Sequence, residues 1–266
     1  MARFNGILAG CTVVWMLAAG FAARPAVAQS GAAPNPALVA DLVAANRILF
    51  DQGVVDGFGH VSVRHDKNPE RFLLARSMAP GLVTAEDIME FDLEGNASDA
   101  KGRTAYLERF IHSAIYRARP DVKAIVHSHS PAVIPFGVTG VPLKPIYHMS
   151  AFLGAGAPVF DIRDAAGETN MLVGTQALGK ALAASLGAKT VVLMRGHGSV
   201  AVGESLPQVV FRAVYTEVNA RLQSDAMKLG PVTFLDAQEA TLAMRVNDSV
   251  MGRAWELWKG KALGGK

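Results

Sequence analysis

Seven histidines stand among the 266 residues, and three of them have spacing that suits chemistry. His127 and His129 are one residue apart in residues 124–129, a stretch that alternates as a strand does. Side chains at i and i+2 of a strand share a face, so these two imidazoles converge on one point. His197 sits between Gly196 and Gly198, directly after the apolar run at residues 190–195. Glycine on both sides lets the backbone turn sharply and brings the ring close to another element. Three neutral imidazoles with a fourth position open to substrate make a catalytic divalent-metal site. One divalent ion per chain is the expected cofactor: Zn²⁺ first, with Mn²⁺, Co²⁺ and Fe²⁺ also accepting such ligands. Glu108 precedes His112 by one helical turn and shares its face. A carboxylate beside a metal-bound substrate can serve as general acid or base, or hold a metal position until substrate displaces it. His65 and His112 themselves read as structural.

These side chains need elements to hold them. Residues 36–52 place Leu38, Leu42, Val43, Ile48 and Leu49 at helical spacing, after a helix start at Asn35 and Pro36. Residues 60–65 alternate like a strand, residues 72–76 read as its partner, and residues 83–92 as a turn and a further strand. Residues 104–119 predict a helix ended by Pro120. Strands are expected at 124–129, 157–162 and 190–195, and helices at 174–186, 205–229 and 236–262. Residues 142–153 read mostly as loop. Strands and helices alternate without a repeat period, which is the pattern of an α/β domain with helices packed on a central sheet.

Bulk composition excludes several classes. A chain 50% hydrophobic with a formal net charge of +3 is too apolar and too weakly charged for disorder. A single cysteine, Cys11, excludes a disulfide scaffold. The pI of about 9.1 comes without any Lys/Arg block, so nucleic acid is not an expected partner. Residues 1–28 combine Arg3, an apolar run, and a small-residue pattern at Ala26 and Ala28, the layout of a cleaved secretory signal. An uncleaved anchor and a lipoprotein signal ending at Cys11 are the alternatives. Residues 29–35 read as a linker and residues 36–266 as one domain. Without Arg3 and Arg24 the 26 basic residues fall to 24 against 23 acidic, a net charge of +1. The expected mature chain is cysteine-free, periplasmic or secreted, and without stable membrane association.

The spacing Glu108-x3-His112-x3-Tyr116-x2-Arg119, then Pro120 and Asp121, then His127-Ser128-His129, then Arg195-Gly196-His197-Gly198, resembles the class II aldolase/adducin family. The resemblance runs over roughly residues 36–229. It implies a three-layer α/β/α sandwich with a mostly antiparallel central sheet. It implies that His127, His129 and His197 bind the metal and that Glu108 is the catalytic acid or base. It also implies a homo-oligomer, usually a tetramer, with sites near subunit interfaces. Family members that act on sugar phosphates carry a Gly-Asn segment, a Thr/Ser-Gly segment and a Ser pair that together hold the phosphate. Here those positions read Gly59-His60, Ser77-Met78 and Tyr106-Leu107, so that cradle is largely gone.

The stretches around Gly59-His60, Arg76-Ser77 and Tyr147-His148 look instead like the decarboxylase branch. Its members act on aromatic-catabolism acids such as dihydroxyphthalates and carboxylated hydroxymuconic semialdehydes. Arg76 and Ser77 would suit a substrate carboxylate, as a charged donor beside a hydroxyl. His60 takes the asparagine's substrate-binding place, and His148 is a second candidate proton donor. The expected activity is a metal-dependent carbon–carbon lyase acting on a small-molecule acid, with decarboxylation of a hydroxy- or oxo-acid favoured. The alternatives are an aldolase for an unphosphorylated hydroxy-carbonyl compound, a non-catalytic adducin-like interaction module, and a non-haem iron oxygenase.

Overall fold

A computed structural model describes residues 1–2 and 32–264. From residue 3 onward, the expected export signal lies outside the described residues. The described elements run α1 (Pro36–Asp51), β1 (His60–Arg64), β2 (Arg71–Ala75), β3 (Ile88–Asp92), α2 (Arg109–Ala118), β4 (Ala124–Ser128) and α3 (Ile134–Val138). They continue with β5 (Val159–Phe160), α4 (Arg163–Ala166), α5 (Gln176–Leu186), β6 (Val191–Met194), β7 (Gly198–Gly203), α6 (Leu206–Leu229), α7 (Ala237–Val250) and α8 (Gly252–Ala262). Among them no helix is long and apolar enough to cross a membrane.

Seven strands form one sheet in the order β3-β2-β1-β4-β7-β6-β5. Only the terminal β5–β6 pair is parallel; the other five pairings are antiparallel. Helices cover both faces, giving the three-layer α/β sandwich. On one face, Val61, Val63, Ala124, Val126 and Ala201 pack with Leu42 and Ile48 of α1, Val209 and Val210 of α6, and Trp255 and Trp258 of α8. On the other, Phe72, Leu74, Ile125, Val192, Val200 and Val202 pack with Ile111 and Ile115 of α2 and Leu182 and Leu186 of α5. Each fully buried large aliphatic or aromatic side chain contributes about 1.5–3 kcal/mol. The alternation also decides where polar groups go. Val61 and Val63 point to the α1 face, so His60 and Ser62 point to the α2 face, and His127 follows Ile125 to that same face.

Three elements differ from the sequence reading. The helix expected over 104–119 begins only at Arg109, because Thr104 gives its carbonyl to the backbone N–H of Ser77 and Tyr106 gives its hydroxyl to the Met78 carbonyl. That stretch is committed to the neighbouring strand-end segment. Residues 198–203 form a full central strand where sequence reading stopped at a glycine turn. The single long C-terminal helix is two, α7 and α8, meeting at Met251 and Gly252, where glycine is a poor helix former.

Candidate metal centre and active site

Four side chains from separate places in the chain meet on the α2 face. His127 is the penultimate residue of β4, and His129 lies just past its end. His197 sits in the tight β6–β7 turn, and Glu108 is the residue that caps the start of α2. One ligand atom from each lies within 4.8 Å of all the others. Glu108 Oε2 is 3.5 Å from both His127 Nε2 and His197 Nε2, and His129 Nε2 is 3.0 Å from His197 Nε2.

The turn that carries His197 depends on glycine at two positions. Gly196 has φ +63°, a conformation side chains disfavour. A Cβ on Gly198 would stand 2.0 Å from the Ser128 carbonyl oxygen, so only glycine lets β7 come this close to the end of β4. Glu217 of α6 anchors the chain just beyond His129, accepting from the Ser130 hydroxyl and, at 3.1 Å, from the Ala132 N–H.

Backbone carbonyls fix two of the rings. His127 Nδ1–H donates to Ser199 O and His197 Nδ1–H donates to Met171 O, each at 3.1 Å. In each ring this leaves Nε2 as a lone pair aimed at the cluster. His127 Nε2 is fully buried and has no hydrogen-bond partner. Burial first, and then the neighbouring His127 and His197, lower the His129 pKa to about 4, so that imidazole stays neutral. Glu108 Oε1 accepts from the Val173 N–H at 2.8 Å. Burial works to raise the Glu108 carboxyl, but the neighbouring His127 and His197, each 3.5 Å away, outweigh that and hold it well below the usual carboxylate range. Ligands about 2.0–2.1 Å from a tetrahedral ion stand roughly 3.3 Å from one another. Three separations of 3.0–3.5 Å within a cluster no wider than 4.8 Å, an orphaned buried nitrogen and an ionised carboxylate therefore fit a divalent cation.

A cavity of about 420 Å³ opens beside the cluster. Glu108, His127, His129, His60 and Ser77 line it, together with Phe58, Met78, Tyr106, Leu107 and Leu172. Nothing in the sequence assigns these apolar walls to the site, although Tyr106 and Leu107 stand where sugar-phosphate members carry the Ser pair. Phe58 between two glycines was a weak signal, and nothing in the chain linked Leu172 to a site 45 residues upstream. Arg76 and His148 are placed elsewhere. Arg76 does not line the cavity; its Nε donates to Asp87 Oδ1 at 2.6 Å. His148 is exposed, on a 3-10 helix (His148–Ala155) packed against α7, and its carbonyl accepts from Asn247 Nδ2.

Residues 40–224 match the Class II Aldolase and Adducin N-terminal domain. The Decarboxylase tropJ of Talaromyces stipitatus is 37% identical over 235 residues, covering 79% of this chain and 88% of that protein. The 3,4-dihydroxyphthalate decarboxylase of Terrabacter sp. is 34% identical over 209 residues, covering 73% of this chain and 82% of that one. The structure of the L-fuculose 1-phosphate aldolase from Glaciozyma antarctica PI12 matches with a TM-score of 0.68 at 26% identity, covering 85% of this chain and 90% of that one. Decarboxylase relatives and an aldolase fold support a lyase, and the His/Glu cluster is a site that could bind a divalent metal. The chain belongs to the class II aldolase and adducin family.

Proposed function

We propose that this protein is a divalent-metal-dependent carboxy-lyase acting on a hydroxy- or oxo-acid of the aromatic-catabolism type. The observation that carries this reading is the convergence of three imidazole nitrogens and one carboxylate at a cavity with apolar walls. The relatives' decarboxylase activities agree with it.

In decarboxylation the bond between the carboxylate carbon and its neighbour breaks. The electron pair stays on the neighbouring carbon, CO₂ leaves, and a proton must then be returned to that carbon. A divalent ion, zinc by preference, held by His127, His129 and His197 would stabilise the negative charge that develops on substrate oxygen. The chain's own residues do the rest. Phe58, Leu107 and Leu172 give a planar ring an apolar surface. Ser77 and His60 face the cavity as hydrogen-bonding groups for substrate oxygens. Glu108 is the proton-transfer group: Val173 holds one oxygen and the other faces the cluster. Ionised in the free site, it can take the proton of a substrate hydroxyl and return it to the carbon that loses CO₂.

His148 enters this reading through a second copy of the chain. It is exposed and outside the cavity of its own subunit, and Phe58 and Leu107 leave an apolar rim 69% and 51% exposed. A homotetramer that brings these surfaces together gives His148 a place as second proton donor.

The test is CO₂ release from hydroxylated phthalates, hydroxybenzoates and carboxylated muconic semialdehydes by zinc-loaded protein. His127→Ala and Glu108→Gln should each lower kcat/KM by about 10²–10⁴. Turnover that persists in both variants would sink the proposed site. Aldehyde release without CO₂ would point to the aldolase, and absence of metal-dependent heat stabilisation to the interaction module.

A further inference from the structure

A buried chain of hydrogen bonds runs from α2 to the cavity wall. Tyr116 OH lies 2.8 Å from Ser62 Oγ, Ser62 Oγ lies 2.6 Å from His112 Nδ1, and His112 Nε2 lies 2.7 Å from His60 Nδ1. Tyr116, Ser62, His112 and His60 are all at most 4% exposed. The chain ends at the cavity, because His60 lines it and its remaining nitrogen, Nε2, is the one not engaged by His112.

The direction of this chain follows from its far end. A buried hydroxyl must donate its proton or suffer the full desolvation penalty. Good O–H···O bonds span about 2.5–3.0 Å. Tyr116 OH has two neighbours to donate to, Ser62 Oγ at 2.8 Å and the Lys123 carbonyl at 3.4 Å. The Lys123 contact lies outside that range and the Ser62 contact inside it. Tyr116 therefore donates to Ser62. The single proton of Ser62 then goes to its other neighbour, His112 Nδ1. His112 must carry its proton on Nε2 and give it to His60 Nδ1. His60, with Nδ1 accepting, carries its own proton on Nε2. Burial keeps both rings in the neutral form to which this logic applies.

We infer that Tyr116, Ser62 and His112 are positioning residues that lock His60 as a neutral Nε2–H donor facing the cavity, where it binds an anionic oxygen of the substrate. The lock also keeps His60 from offering a lone pair to a cation, although its ring lies 5.0 Å from that of His127. A protonated Nε2 has no lone pair to offer. Only the identity of the anionic oxygen, a carboxylate or an ionised hydroxyl, rests on the proposed reaction.

Long-range ¹H–¹⁵N correlation spectra of imidazole-labelled, zinc-loaded protein read the tautomer directly. His60→Gln and His60→Phe identify the resonances. The expected result is a protonated, pyrrole-type Nε2 and an unprotonated Nδ1 on His60, with the same pattern on His112. In Ser62→Ala, His60 should populate both tautomers. A His60 protonated on Nδ1, or a tautomer unmoved by Ser62→Ala, overturns the inference. Binding of phthalate then reads the donor itself. Its Kd should weaken at least tenfold in His60→Phe and return to within about threefold of wild type in His60→Gln, which keeps an N–H. Equal loss in both variants overturns the donor role. If phthalate fails to bind the wild type, the substrate class of the proposed function is wrong, while the spectra still decide the tautomer.

Discussion

Gly198→Ala tests whether the close approach of β7 to β4 sets the geometry of the metal cluster. The added Cβ would stand 2.0 Å from Ser128 O, 3.0 Å from Ser128 C and 3.1 Å from His129 Cα. Ordinary contact begins at 3.4 Å, so the two backbones must part by roughly 1.4 Å. All three atoms are backbone, and no side chain can rotate away to relieve the clash. The displaced segments carry His129 on one side and His197 on the other, whose Nε2 atoms are 3.0 Å apart. Overpacking of this kind destabilises by about 1–3 kcal/mol. For a domain of this size that is roughly 2–12 °C in Tm. A misplacement near 1 Å at a reacting centre costs on the order of 10²-fold in rate. Calorimetry of the metal-free protein and zinc titration against a competing chelator measure the two effects. Gly140→Ala is the control, since a Cβ there meets nothing within 4 Å and its φ is not in the positive range. It should leave both quantities within error. A Gly198→Ala protein with wild-type Tm and zinc affinity would refute the reasoning.

Acid should weaken the metal-free fold through His112. Burial, and next the neighbouring His127, lower its pKa to about 3 from an ordinary 6.5. Between those values the unfolded chain binds the extra proton, so stability rises with pH and falls as pH drops from about 6.5 toward 3. Each pH unit in that window removes about 1.4 kcal/mol. His112→Asn should flatten the slope of Tm between pH 6.5 and 4.5; an unchanged slope counts against it. Asn219 clamps the segment before His148: its Oδ1 accepts from the Ile146 N–H and Ser150 Oγ, and its Nδ2 donates to Lys144 O. Asn219→Ala removes a fully buried amide and the partner of the Ile146 N–H and the Lys144 carbonyl, and should cost about 1–3 kcal/mol in urea unfolding. A loss below about 0.5 kcal/mol would contradict the clamp. The mature protein should begin at Gln29, as intact mass of the exported form would show, and deletion of residues 1–28 should retain it in the cytoplasm.

The cluster was legible because it uses local geometry. The period of a strand puts His127 and His129 on one side whatever the rest of the fold does, and glycine around His197 announces a sharp turn. Glu108 was found for the right spacing on the wrong element: it caps α2 rather than riding on it, yet it is still one turn from His112. β7 escaped because a strand buried on both faces and made of Gly, Ser, Ala and Val shows no polar alternation. The cavity walls escaped because Phe58, Leu107 and Leu172 are ordinary apolar residues until three loops bring them together. The roles expected of Arg76 and His148 rested on position in a motif, and motif position does not record that Asp87 engages the one or that the other faces outward.

The His60 position shows how one residue type can serve two opposite purposes within a few ångströms. His60 and His127 are direct partners across β1 and β4 and point to the same face. His127 Nδ1 meets a carbonyl, Ser199 O, which can only accept. That ring must carry its proton on Nδ1 and offer a lone pair at Nε2. His60 Nδ1 meets another imidazole, whose polarity is dictated by a serine and a tyrosine behind it. Were Ser62 replaced by a group that only accepts, the chain would reverse and His60 would present a second lone pair beside the first. A cation would then have two sites to choose between, and an anionic oxygen would meet no donor. With the present polarity, a substrate oxygen drawn to the cation finds an N–H next to it. On the proposed function, Ser62, Tyr116 and His112, which do not line the cavity, thus decide which of two neighbouring histidines would offer a lone pair to a cation and which an N–H to substrate.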